Sequence, residues 1–145
     1  MLKSLGGDAR KFAELGDRLA VAHRPLAAAI EYRKAMAAGQ SDGPLLPTRL
    51  VRVLLDLNKP DEAMDYLKPA LEAWPEHAPL HILAGRAHLA AGKYREALEA
   101  LERAAWFNPF DPQLHDLAAQ AHDALGEAHE ATQARARQKL VGSGL

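Results

Sequence analysis

The sequence predicts an all-α fold, a solenoid of four helix-turn-helix repeats with eight helices and no sheet. Three observations carry that expectation. First, a shift of 34 residues lays the chain over itself: Ala97 falls on Ala63 and Ala131, Glu96 on Glu62 and Glu130, Gly92 on Gly126, and Pro109 on Pro75. A fixed period in the range of about 20–50 residues marks a stack of like units. Second, apolar residues recur at helical spacing on both sides of each turn, as at Phe12, Leu15, Leu19 and Ala22. Third, Gly, Asn, His and Pro punctuate those runs where helices have to start or stop.

Composition sets bounds on function. The 145 residues fit one domain, 1–145, and 48% are apolar, much of it alanine. Such an interior suits closely packed helices. A net charge of −1 gives no general attraction to nucleic acid or to an anionic membrane. The absence of cysteine excludes disulfides, thiolate metal sites and a Cys nucleophile. The opening MLKSLGGDARKF lacks the apolar core of a secretion signal, and no run reaches the roughly 20 apolar residues that span a bilayer. A cytoplasmic location is the resulting expectation.

In order, residues 1–8 read as a lead-in with Asp8 near the first helix start, and 9–22 as an amphipathic helix. His23-Arg24-Pro25 interrupts it, and Pro25 opens a second helix to about Ala38, since proline is tolerated at a first helical position. The Gly39–Gly43 loop follows, with Pro44 opening the third helix along the stripe Leu46, Leu50, Val53 and Leu57. Asn58-Lys59-Pro60 is the next turn, and Pro75 ends the helix that runs from Pro60 to Ala73. The third unit, centred on Leu80–Asp111, turns at Gly92 and closes at Pro109. Asp111-Pro112 then pairs an N-cap with a first-turn proline, Gly126 is the last turn, and Ala128 to about Leu140 is the last helix. The end from Gly142 is expected to fray. The units are 9–43, 44–77, 78–111 and 112–145, and the first carries one extra residue in the Gly39–Gly43 loop.

Aligned columns have physical readings. Ala28, Ala63, Ala97 and Ala131 fall where antiparallel helices cross, and a methyl group permits close approach. His23, Asn58, Gly92 and Gly126 fall at a turn that favours a left-handed residue. Gly16, Gly85 and Ala119 fill a tight spot in the first helix of their repeats; Val51 departs there and implies wider packing in the second unit.

These residues resemble the tetratricopeptide repeat. The first unit carries the pattern as Phe12, Leu15-Gly16, Leu19, Ala28, Tyr32 and Ala35; the third carries it as Gly85, Gly92, Tyr94, Ala97, Leu101, Ala104 and Pro109. The resemblance runs from about residue 9 to the end. It implies a right-handed superhelix whose concave groove binds proteins or peptides. In the last unit Arg135 and Gln138 replace residues that a further repeat would bury. The last helix is therefore expected to face water and to end the array.

The resemblance places one face of each first helix in the groove. Asp17, Arg52, Arg86 and Gln120 fall on one line, with Thr48, Ile82 and Asp116, then Leu55, Leu89 and Asp123, on flanking lines. The candidate peptide-binding residues are Arg49, Arg52, Leu55, Ile82, Arg86 and Leu89. Arginine binds carboxylates bidentately, so the expected partner is a protein or peptide with an acidic or carboxylate feature. The competing reading pairs these arginines with Asp17, Asp56 or a nearby glutamate on a solvated face. The lysine and asparagine clamp by which some family members hold chaperone C-termini is absent: Ala13, Asp17, Arg49, Pro79 and Leu83 occupy its positions.

His81, His88, His115 and His122 repeat at the same period. His81 and His88 lie about 10 Å apart along a helix axis, too far to share one ion, and read as packed aromatics. No metal or cofactor is expected. Phe107 is expected to pack inward, and Trp106 either to fold onto Phe110 or to form an apolar patch. No phosphate loop or tuned carboxylate pair supports an enzyme. The leading expectation is a protein-interaction scaffold. A self-assembling homo-oligomer and an accessory domain of a larger bacterial-type enzyme are the alternatives.

Overall fold

A computed structural model describes residues 2–39 and 43–142. The extra residue in the Gly39–Gly43 loop and the end beyond Gly142 concern residues outside the described ones. Eight helices are seen: α1 (Leu2–Val21), α2 (Pro25–Ala38), α3 (Leu45–Asp56), α4 (Pro60–Ala73), α5 (Ala78–Ala90), α6 (Tyr94–Phe107), α7 (Pro112–Ala124) and α8 (Ala128–Gly142). No strand occurs among the described residues. One correction concerns the start. α1 begins at Leu2 and runs through Gly6-Gly7, where a lead-in was expected. Leu2, Leu5, Ala9 and Phe12 continue the helical spacing, and a glycine inside a helix costs only about 1 kcal/mol relative to alanine.

The turn column behaves as the sequence requires. His23 and Asn58 take φ of 59° and 58°, and Gly92 and Gly126 take 77° and 76°. At each of these turns the next residue's N–H reaches back into the first helix, as from Lys59 to the Leu54 carbonyl at 2.9 Å and from Lys93 to the His88 carbonyl at 2.8 Å. The chain reverses there, and the crossing alanines Ala28, Ala63, Ala97 and Ala131 are all fully buried.

The chain divides into two compact units, Met1–Trp74 and Pro75–Leu145. In the first, α1 packs on α2, α2 on α3, and α3 on α4, the last pair less extensively than the first. Val51 stands on α3 where α1 has a glycine, which accounts for that looser pair. A Cβ on Gly16 would lie 2.6 Å from the Tyr32 ring. The Tyr32 hydroxyl donates to Asp17 Oδ1 at 2.7 Å, and burial together with that carboxylate pushes the phenol pKa up. An ion pair between Arg33 and Glu62 ties α2 to α4.

In the second unit α5 packs on α6, α6 on α7, α7 on α8, and α5 also meets α7. Ile82, Leu101, Ala104, Leu114 and Leu117 form its core cluster, with Leu89, Ala105 and Ala118 packed against it. Each such aliphatic side chain contributes about 1.5–3 kcal/mol through burial. A Cβ on Gly85 would lie 2.7 Å from Leu101, so this glycine sets the α5–α6 approach. His81 is buried, stacks on Phe107 with ring centroids 5.8 Å apart, and hydrogen-bonds the Pro75 carbonyl through Nε2 at 2.6 Å. One repeat later, His115 makes the same bond to the Pro109 carbonyl at 2.8 Å. The histidine echo is thus a recurrent tie between the start of a first helix and the segment preceding it. Arg135 is exposed and pairs with Asp123, which leaves α8 with a charged outer surface.

Candidate functional site

The second unit contains an open cleft of about 570 Å³ between α5 and α7. Arg86, Leu89 and Ala90 line it from α5; Gln113, Asp116, Leu117 and Gln120 line it from α7. Helical spacing explains the set. Gln113, Asp116, Leu117 and Gln120 stand at i, i+3, i+4 and i+7, and so share one face of α7. The α7 register is held at its start: Asp111 Oδ1 accepts from the Gln113 N–H at 2.9 Å, and Pro112 occupies the first turn. The floor is apolar, from Leu117 in the core and Leu89 against it. The rim is polar. Gln120 Nε2 donates to Asp116 Oδ2 at 3.1 Å, which fixes the orientation of that carboxylate.

Arg86 and Leu89 line this cleft, while Arg49, Arg52 and Leu55 belong to α3 of the first unit. Arg49 pairs with Asp17 at 3.3 Å, which is the competing solvated-pair reading for that residue. Arg52 is exposed on α3. Leu55 is buried and therefore does not offer its side chain as groove surface. Ile82 also differs from expectation, because it belongs to the core cluster with Leu101 and Leu114. Of the flanking lines, Thr48 is buried and donates to the Pro44 carbonyl at 2.6 Å. Asp123 is committed to Arg135, and the Arg135 guanidinium holds its carboxyl below the usual range.

Gln113 and Leu117 were not among the sequence candidates. The signal was present as their stripe with Asp116 and Gln120 on one helix. A second, smaller cleft in the first unit, about 330 Å³, is lined by Ala20, His23, Pro25, Val53 and Asp56. No group of three or more His, Asp or Glu among the described residues is arranged to hold a metal ion.

Paired antiparallel helices, left-handed turns at one register and alanine crossings define a helical-repeat protein. The tetratricopeptide-repeat family profile matches residues 54–121. The same helix-turn-helix pairs lie on either side of that stretch. No curated protein sequence matches it. Among solved structures, MamA from Desulfovibrio magneticus RS-1 is similar with a TM-score of 0.83 at 18% identity, over 94% of this chain and 77% of that one. TTC0263, a thermophilic TPR protein of Thermus thermophilus, aligns with a TM-score of 0.81 at 22% identity, over 92% and 74%. YrrB, described as a TPR protein with an unusual peptide-binding site, aligns with a TM-score of 0.78 at 20% identity, over 92% and 68%. At these identities the likeness establishes the fold.

Proposed function

We propose that this protein is an interaction module that holds an extended segment of a protein partner in the cleft between α5 and α7. The observation that carries this is the lining itself: an apolar floor from Leu89 and Leu117 under a polar rim of Arg86, Gln113, Asp116 and Gln120. Binding sites combine apolar surface with a few placed polar groups in this way. The glutamine amides both donate and accept, which suits the main chain of an extended peptide. Arg86 makes an interaction within the chain. Its guanidinium has five N–H donors, enough to take a ligand carboxylate as well. Asp116 places a negative charge on the opposite wall, so the preference for an acidic group is local to the α5 side. The peptide-binding site described for YrrB, a protein of the same fold, supports the reading.

The test is selection of binders from a displayed random-peptide library, followed by affinity measurement on variants. Selected peptides are expected to pair a carboxylate with an aliphatic residue. Arg86→Glu is expected to cost tenfold or more in affinity, about 1.4 kcal/mol, with helicity unchanged by circular dichroism. Full affinity in Arg86→Glu and in Gln120→Ala would remove the cleft as the binding site.

A further inference from the structure

The end of α6 carries an aromatic cluster that the cleft does not use. Trp106 is 81% exposed, Phe110 74% and Phe107 51%. Phe107 packs inward in part, against buried His81, while Trp106 and Phe110 both stay largely exposed to solvent. None of the three is aromatic in the preceding repeat, where Glu72 stands in place of Trp106, Ala73 in place of Phe107 and Glu76 in place of Phe110. The rings are therefore not a requirement of the repeat. Phe107 and the turn that carries Phe110 are nevertheless held in place. Phe107 stacks on buried His81, the Asn108 side chain accepts from the Phe110 N–H at 3.2 Å, and Pro109 and Pro112 restrict the turn. An aromatic surface fixed in advance loses little entropy on binding.

The same exposed stripe of α6 carries Glu99, Glu102 and Arg103, which stand seven, four and three residues before Trp106. Among the described residues none of the three forms an ion pair. We propose that this surface is a two-fold interface with a second copy of the chain. A two-fold contact requires a self-complementary patch, and this one has both parts. Aromatic rings meet their own equivalents well in offset or edge-on arrangements. One arginine beside two glutamates lets Arg103 of each copy face Glu102 of the other. A surface of such mixed charge does not suit phosphate-rich partners. Area argues for the strength of the contact. The three rings expose roughly 400 Å² of apolar surface per copy, more than scattered single side chains would give. Two copies would bury roughly 800 Å² from the rings, short of the about 1,200 Å² typical of stable specific pairs. The dimer is consequently weak and concentration-dependent. This inference stands independently of the α5–α7 cleft.

The experiment is sedimentation velocity on the whole chain from about 10 μM to 1 mM, the range in which so small an interface would act. The sedimentation coefficient is expected to rise from monomer toward dimer across that range. Trp106→Ser, at an exposed position, is expected to shift the midpoint at least tenfold upward with unchanged circular dichroism. Arg103→Glu and Glu102→Arg each weaken self-association, and an equimolar mixture of the two restores it. A monomer at every concentration overturns the proposal. So does a dimer indifferent to Trp106→Ser, or a mixture of charge variants that associates no better than either alone.

Discussion

Replacing Gly85 by alanine adds one methyl group, and two opposite effects decide its consequence. Alanine is a better helix former, by about 1 kcal/mol. Against that, the new Cβ would lie 2.7 Å from both Cγ and Cδ2 of Leu101 and 3.4 Å from the Ala97 carbonyl. Carbon atoms prefer about 3.5–4.0 Å, so Leu101 has to retreat by roughly 0.8 Å or more. It has little room, being 3% exposed and packed in the cluster with Ile82, Leu114 and Leu117. Overpacking of this kind costs about 1–3 kcal/mol. The clash wins, and Gly85→Ala is expected to lose about 1 kcal/mol, read from urea unfolding followed by far-ultraviolet circular dichroism. The cause is testable by a cycle. In a Leu101→Ala background, itself less stable by about 2–5 kcal/mol, the clash is gone and Gly85→Ala should become neutral or stabilising. An equal cost in both backgrounds would refute the assignment of Gly85 as the spacer between α5 and α6.

Gly92→Ala should lose about 1–2 kcal/mol purely through its left-handed backbone, since an added Cβ there meets nothing within 4 Å at φ +77°. Asp111→Ala removes the acceptor for the Gln113 N–H and should cost about 1 kcal/mol by thermal or urea melting. His77 has a buried Nε2 with no hydrogen-bond partner, and burial and then the nearby His81 lower its pKa from 6.5. Its folded form binds protons less readily than its unfolded form, so stability is full above pH 6.5 and falls as pH drops below that value. His77→Gln should flatten that acid limb in urea titrations. Tyr32 has the opposite sign. Its phenol pKa is raised above 10.0, so stability holds below pH 10 and is lost above it; Tyr32→Phe should remove the alkaline limb.

The features legible in sequence were those in which one residue meets one local requirement. A left-handed turn limits the choice to residues such as His23, Asn58, Gly92 and Gly126, and a close helix crossing requires the small side chains of Ala28, Ala63, Ala97 and Ala131. Repetition then made each column visible. The candidate site was legible only in part, for a reason specific to α5. That helix, APLHILAGRAHLA, is apolar on nearly every side, and Ile82, Leu83, Ala84 and Ala87 are all buried. A helix apolar all round has no single face that spacing can identify. Ile82 therefore read as groove although it is core. α7 alternates polar and apolar residues more clearly, and there the stripe from Gln113 to Gln120 was readable. Trp106 illustrates a different limit, because spacing places a residue on a face but does not tell whether a neighbour covers it.

The most direct test of the central claim is a nuclear magnetic resonance titration of the whole ¹⁵N-labelled chain with a library-selected peptide. Binding in the cleft predicts that the largest backbone amide shifts fall on Arg86, Leu89, Asp116 and Gln120, with Trp106 and Phe110 unmoved. Shifts centred on α3 around Arg52, or on the turn from Trp106 to Phe110, would contradict it.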